Sequence, residues 1–332
     1  MNISILDQSP IADGETPEKA FEHTRELVKL AEDLGFHRFW VAEHHSTSGL
    51  AGSSPEILMS HLASVTSSIR IGSGGVLLPQ YSPYKVAENF KVLEALFPGR
   101  IDLGIGRSPG GGNTIREALT DGHKKSLSAF PRLLQEVQGF IDRSLPGNHP
   151  YASIKASPMS ATLPETWVLG LSERGARDAG KQSAGFMFGH FISPDQGVDA
   201  VRKYHDSFVP SERQPRPVTA ACVFIVCAST DEEAEHLALS QDQWLLNVEK
   251  GTNTKVPAPN SVNPSNWTQE EQEKVRHNRR RAVIGSPATV QKQLRELRDK
   301  LGLDELMGIT NIYDFEAKKI SFQYTADIAG NL

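Results

Sequence analysis

Cysteine is almost missing from this chain, with two residues, Cys222 and Cys227, among 332. They stand five apart in a strand-like run and form neither a C-x-x-C redox pair nor a zinc knuckle, so they read as buried free thiols on opposite faces. Long apolar runs are missing too. No stretch approaches the ~18 uninterrupted apolar residues of a membrane span, and residues 1–20 lack the basic start and apolar core of a signal peptide. Nor does one sign of charge dominate. The formal net charge is −5 with both signs spread along the chain, which argues against an extended nucleic-acid or acidic-membrane footprint. The one tight basic run, Arg279-Arg280-Arg281, reads as a solvated edge. The expectation is a soluble cytoplasmic protein with neither nucleic acid nor membrane as partner, in which the Asn266-Trp267-Thr268 sequon is incidental.

What is present is enough apolar residue, 38%, for one large core, arranged in a regular alternation. Strand-like segments fall at Asn2–Leu6, around Arg38–Ala42, at Ile69–Leu78, Ile101–Gly106, Thr166–Gly170, Phe186–Phe188, Val218–Val226 and Leu306–Ile312, with helical patterns between them. Five helix starts reuse one device, Ser-Pro or Thr-Pro, as at Thr16-Pro17, Ser54-Pro55 and Ser286-Pro287. Strict alternation implies a parallel sheet, and eight strands in one continuous run favour closure. The predicted fold is a single α/β domain over residues 1–332, a (β/α)8 TIM barrel with loop insertions. Residues 249–268 carry Gly, Pro, Asn, Ser and Thr with almost no core positions, so 249–282 reads as a mobile lid insertion.

The chain is organised around Arg38-Phe39-Trp40-Val41-Ala42-Glu43-His44-His45, a strand apolar on both faces that ends in an acid and two imidazoles. Three readings compete for those three residues: polar loop groups bonded to backbone, a metal site, and acid/base chemistry. The metal reading lacks H-E-x-x-H spacing and further ligands. In a barrel the loops after the strands share one face, which gathers Asp7, Glu43-His44-His45, Gly74-Gly75, Arg107, Ser172-Glu173-Arg174-Gly175 and His190. Arg107, flanked by glycines after a strand, and Ser172, a hydroxyl at a helix start, both suit a phosphate. The segment from Gly104 to Pro109 begins like G-x-G-x-x-G, but Pro109 holds its third position and no acid follows at the required distance, so it is no dinucleotide fingerprint.

Four segments, Phe39–His45, Ile71–Pro79, Pro98–Arg107 and Ile284–Pro287, occur in the order in which the bacterial luciferase-like flavin-dependent monooxygenases carry theirs, and the chain resembles that family over almost its whole length. The resemblance implies a barrel that binds FMN, used as reduced flavin supplied by a reductase that draws on NAD(P)H. It implies a homodimer packed through helices at about 55–67 and 83–97. Position by position, His44 matches the histidine supporting flavin oxygen chemistry, with His45 beside it. Gly74-Gly75 matches a non-prolyl cis peptide under the flavin ring. Arg107 and Ser172 match phosphate contacts, Arg174 and Gly175 share their loop, and His190 falls where an aromatic meets the flavin in luciferase. Gly106 and Leu171 depart from the luciferase pattern, so aldehyde oxidation and light emission do not follow. The activity implied is oxygenation of a small organic substrate through a flavin 4a-hydroperoxide formed with O2. The alternatives are hydride transfer with a deazaflavin and a flavin-binding protein without turnover.

Overall fold

The computed structural model describes residues 1–252, 254–330 and 332. Among the described residues ten strands form, all paired in parallel: β1 (Asn2–Asp7), β2 (Arg38–Val41), β3 (Arg70–Ser73), β4 (Val76–Leu77), β5 (Ile101–Gly106), β6 (Glu165–Gly170), β7 (Gly185–Phe188), β8 (Thr219–Cys227), β9 (Ala282–Gly285) and β10 (Glu305–Ile309). Eight of them run in the order β10-β1-β2-β3-β5-β6-β7-β8, and β8 pairs back onto β10, closing a TIM barrel. The other two account for the difference from the eight expected strands. The third strand breaks at Gly74-Gly75, leaving β4 to pair with Ile105 and Gly106 of β5. β9 pairs with Phe224–Cys227, the part of β8 beyond the residues paired with β7.

Period-two alternation explains why these segments are apolar on both faces. Leu6, Trp40, Trp167, Met187, Cys222 and Met307 fill the lumen, where Trp40 meets Trp167 edge-on at 5.7 Å. Their neighbours Ile5, Phe39, Val41, Val168, Phe186 and Val223 pack outward against the helices. Cys222 lies in the lumen and Cys227 in the outer core, both as buried free thiols, as their five-residue spacing requires.

The N-terminal end of the barrel is closed by charge. Arg38, 3% exposed, donates through Nε to Glu305 at 2.9 Å and through Nη1 to Asp102 at 2.7 Å, while its guanidinium lies 4.7 Å from the Trp167 ring centre. Arg70 and the Trp40 indole N–H also donate to Asp102, at 2.6 and 2.9 Å. Stacking these groups at one end leaves the other end of the lumen free of them.

Proline opens the helices Pro17–Asp33, Pro55–Ser64, Pro83–Leu96 and Pro287–Leu301. Among their preceding hydroxyls only Thr16 accepts an N–H from the first turn. The fixed φ of proline, not the cap, is the shared element. The long helix Asp231–Glu249 sends Trp244 and Leu245 into the lumen cluster.

Asn253, inside the expected lid, lies outside the described residues. The segment after it is built rather than bare. Val256, 1% exposed, packs in the lumen cluster, accepts from the Asp13 N–H at 2.8 Å and donates its own to the Ile11 carbonyl at 2.9 Å. Residues Gln269–Arg279 form a helix with a capping box at Thr268. Arg279 clasps the buried Asp242 from two nitrogens, at 2.8 and 2.7 Å, which ties this helix to Asp231–Glu249. Among the described residues, no helix is long and apolar enough to cross a membrane.

Candidate active site

The expected residues follow the strands at the C-terminal end of the barrel, and strand parity decides which of them face the lumen. Trp40 and Ala42 face the lumen, so His44, two further on, is directed inward above them. Its backbone N–H donates to the Gly52 carbonyl at 2.9 Å, and its Nε2 sits 3.0 Å from Nε2 of Gln8 at the end of β1. Burial, with the His45 charge as the smaller contribution, pushes the His44 pKa down to about 4. The ring is therefore neutral at physiological pH.

His45 points elsewhere. Its Nε2 lies 2.7 Å from Oε1 of Glu43, which is 5% exposed. That carboxylate also accepts the Tyr81 hydroxyl at 2.6 Å and the Leu77 N–H at 2.9 Å. Burial and then the hydrogen bond to Glu43 raise the Tyr81 phenol above its usual range. Glu43 is thus spent on tying the β2 loop to the start of the next turn, and the three residues diverge rather than converge on one point. Asp7 is likewise structural: Lys318 and Thr24 donate to it at 2.8 and 2.6 Å.

Gly74-Gly75 is a cis peptide bond, the one non-prolyl case among the described residues. Side chains are excluded at both positions, since a Cβ on Gly74 would stand 2.6 Å from Leu6 Cδ1 and one on Gly75 2.7 Å from the Gly104 carbonyl oxygen.

Arg107 and Ser172 leave the barrel from neighbouring strands, β5 and β6, whose residues Gly106 and Leu169 are in register. Arg107 is half-buried and makes no ion pair or hydrogen bond among the described residues. Ser172 begins the helix Glu173–Lys181 in extended backbone, and its hydroxyl does not cap its own helix. The first-turn N–H groups of that helix lack intrahelical partners, as in any helix. Arg174 is exposed and also unpaired among the described residues, and Gly175 packs so closely on Gly170 that a Cβ there would meet its Cα at 3.4 Å.

His190 stands apart from this group. It shares the outward parity of Phe186 and Phe188, its ring lies 6.4 Å from that of Phe188, and its surroundings are the Arg280 main chain, Asp195 and Lys300. Burial lowers its pKa. The aromatic at the end of β7 that joins the lumen cluster is the next residue, Phe191, edge-on to Phe224 at 5.5 Å. Parity from Met187 reaches Phe191 and is the sequence signal that identifies it. The same count from Leu6 reaches Gln8, the other residue that motif reading passes over.

These features sit in a chain with clear relatives. A family profile described as luciferase-like monooxygenase matches residues 1–305. The chain is 52% identical to the Bacillus subtilis protein YceB over 99% of both chains, and 35% identical to the N-acetyl-S-alkylcysteine monooxygenase of the same organism over 98% of both. Its fold is similar to the crystal structure of apo-MsnO8, with a TM-score of 0.88, 34% identity and 98% of each chain covered. More distant solved structures share the fold alone. One is the oxygenating constituent of 3,6-diketocamphane monooxygenase from Pseudomonas putida in complex with FMN, with a TM-score of 0.71, 19% identity and 100% and 98% covered. Another is an F420-dependent secondary alcohol dehydrogenase, with a TM-score of 0.66, 15% identity and 97% of each covered. The chain belongs to the luciferase-like monooxygenase family and is an oxidoreductase of the monooxygenase class.

Proposed function

We propose that the barrel mouth binds FMN, used in its reduced form, and that the enzyme inserts oxygen from O2 into a small organic substrate. The observation that carries this reading is the unspent donor set at two adjacent strand ends: the Arg107 guanidinium, the Ser172 hydroxyl and the first-turn N–H groups of its helix. A phosphomonoester accepts from all three, whereas a ligand without phosphate would leave most of them unused. Reduced FMN, when bound, supplies the electrons and the site for O2 activation.

The chain's own groups do the rest. Arg107, Ser172 and Arg174 hold the phosphate, with Gly175 keeping the loop close. The Gly74-Gly75 turn offers a ring a surface free of side chains. His44, neutral and with Nε2 engaged by Gln8, has Nδ1 left to exchange a proton with a bound group. His45, held by Glu43, fixes the loop beside it. Trp244, Leu245 and Val256 pack into the lumen cluster and would exclude water from it, which favours oxygenation of the substrate over unproductive reduction of O2 to hydrogen peroxide. Reduced flavin comes from a separate NAD(P)H-using reductase. In support, Arg279 and Arg280 of the basic run are engaged by Asp242 and Asp195, so the run offers no ready phosphate site for a nicotinamide nucleotide.

The test is anaerobic titration of the protein with reduced FMN, riboflavin and F420, followed by mixing with O2 in a stopped-flow spectrometer. FMN is expected to bind more tightly than riboflavin, and reoxidation to pass through a slow phase that free flavin lacks. Arg107→Ala should weaken FMN about 10- to 100-fold, the loss of a charge-assisted hydrogen bond, and leave riboflavin unchanged. A protein that binds F420 but not FMN, and consumes no O2, overturns the proposal.

A further inference from the structure

The lumen is apolar through most of its height and turns polar in its last inward layer. Leu6, Trp40 and Ile309 all face inward. The same parity, continued upward, brings in Gln8 after β1, His44 after β2 and Asn311 after β10. The pairing of Ile5 with Gly308 sets Gln8 level with Asn311. Gln8 is 6% exposed and Asn311 1%, and Gln8 Oε1 and Asn311 Nδ2 are buried without a partner. Such orphaned amide atoms mark a place where the fold gives up hydrogen bonding for another purpose.

Gln8 spends its other amide atom on His44. Its Nε2 lies 3.0 Å from the imidazole Nε2. An amide N–H can meet a ring nitrogen only where that nitrogen carries a lone pair, so with the amide in this orientation the contact pairs with a neutral ring whose proton is on Nδ1. The two nearby acids, Asp7 at the end of β1 and Glu43 just before His44, are turned away from the ring. Asp7 is held by Lys318 and Thr24, and Glu43 by His45, Tyr81 and the Leu77 N–H. Among the described residues, the other titratable group acting on His44 is His45. An uncharged amide thus stands where a carboxylate would have drawn a proton onto the ring.

We propose that Gln8 is the positioning residue of His44: it holds the imidazole in the Nδ1–H tautomer and turns that N–H toward the site, while its own Oε1 remains open to a bound ligand. The consequence for turnover rests on the function proposed above, whereas the tautomer does not.

The experiment is NMR of the ligand-free protein labelled with 15N- and 13C-histidine, with His44 assigned through His44→Ala. Wild-type His44 should show the Nδ1–H tautomer and stay neutral to below pH 5. Gln8→Glu should raise its titration midpoint by about one pH unit or more and move the neutral-state proton to Nε2, as an adjacent carboxylate does. Gln8→Met, close in volume, should leave the ring neutral but mix the tautomers. A wild-type Nε2–H tautomer overturns the proposal, as does a Gln8→Glu midpoint that does not move in a protein of unchanged circular dichroism. Where Gln8→Glu fails to fold, the wild-type tautomer and Gln8→Met decide the matter alone. Loss of FMN binding with the expected spectra would sink the flavin reading and leave the pairing standing; the reverse pattern would do the opposite.

Discussion

At the scale of single residues, the site works by withholding charge. Two buried acids stand next to the residues that matter, and both are bound elsewhere, which leaves His44 in a neutral setting. Linkage gives this a measurable signature. The His44 pKa falls from an ordinary 6.5 to about 4 in the fold, so the unfolded chain takes up the proton first. Stability is then complete above about pH 6.5, declines as pH falls toward 4, and is level in this group below that. The size is about 2–3 kcal/mol between pH 7 and 4.5, since each pH unit of displacement is worth about 1.4 kcal/mol. Urea denaturation of the wild type and of His44→Asn at both pH values measures it. The variant should lose less stability on acidification by roughly that amount; equal losses would mean that the ring is not buried neutral.

At the scale of elements, the strands and their alternation are legible in the sequence because a barrel strand needs apolar residues on both faces, and few other segments satisfy that. The chemistry-bearing ends are legible for the same reason: a polar residue directly after such a strand is conspicuous. The cis bond at Gly74-Gly75 follows from resemblance, not from spacing, and so does the match of His190, whereas parity picks out Phe191 as the aromatic that joins the lumen cluster. β9 escapes sequence reading because Ala282–Gly285 is four residues long and follows three arginines, so its apolar signal is drowned by charge. The helix Gln269–Arg279 escapes for a related reason: it buries two residues, Val275 and Asn278, and is held by the Arg279 clasp rather than by an apolar stripe. The strap ahead of it has its own lock. Thr254 accepts the Trp244 indole N–H at 2.8 Å and meets the Thr47 hydroxyl at 2.8 Å. Gly49 lies so near that a Cβ would stand 1.7 Å from the Thr254 carbonyl oxygen. Backbone cannot yield as a side-chain tip can, so Gly49→Ala should displace the strap without touching the barrel. Amide exchange at Val256, and at Asp13, whose N–H donates to the Val256 carbonyl, is expected to quicken while exchange in β8 stays as it was. Unchanged protection at Val256 would mean that the strap is held by its apolar contact alone.

At the scale of the whole molecule, the barrel separates stability from chemistry along its axis. Its lower end carries the Arg38–Asp102–Glu305 cluster, which links β2, β5 and β10 across the lumen and would leave buried charges unpaired if one partner were removed. Its upper end carries neutral or unspent donors. The flank carries a third kind of surface. Ile57 is 75% exposed on Pro55–Ser64, and Val92 and Leu96 are 46% and 58% exposed one turn apart on Pro83–Leu96. Single exposed apolar residues are ordinary, but these stand on the two helices that follow β2 and β4, the pair that family resemblance assigns to a dimer contact. The β2 loop bearing His44 and His45 leads directly into the first of them, so a partner there would brace the site from behind. The protein is therefore expected to be a dimer by light scattering after gel filtration. Ile57→Lys combined with Leu96→Lys should give a folded monomer whose FMN affinity falls, because the helix supporting the His44 loop loses its backing. A wild-type monomer would remove the dimer, and a monomeric variant with undiminished FMN affinity would show that the loop is held by Glu43 and Gln8 without help from a second copy.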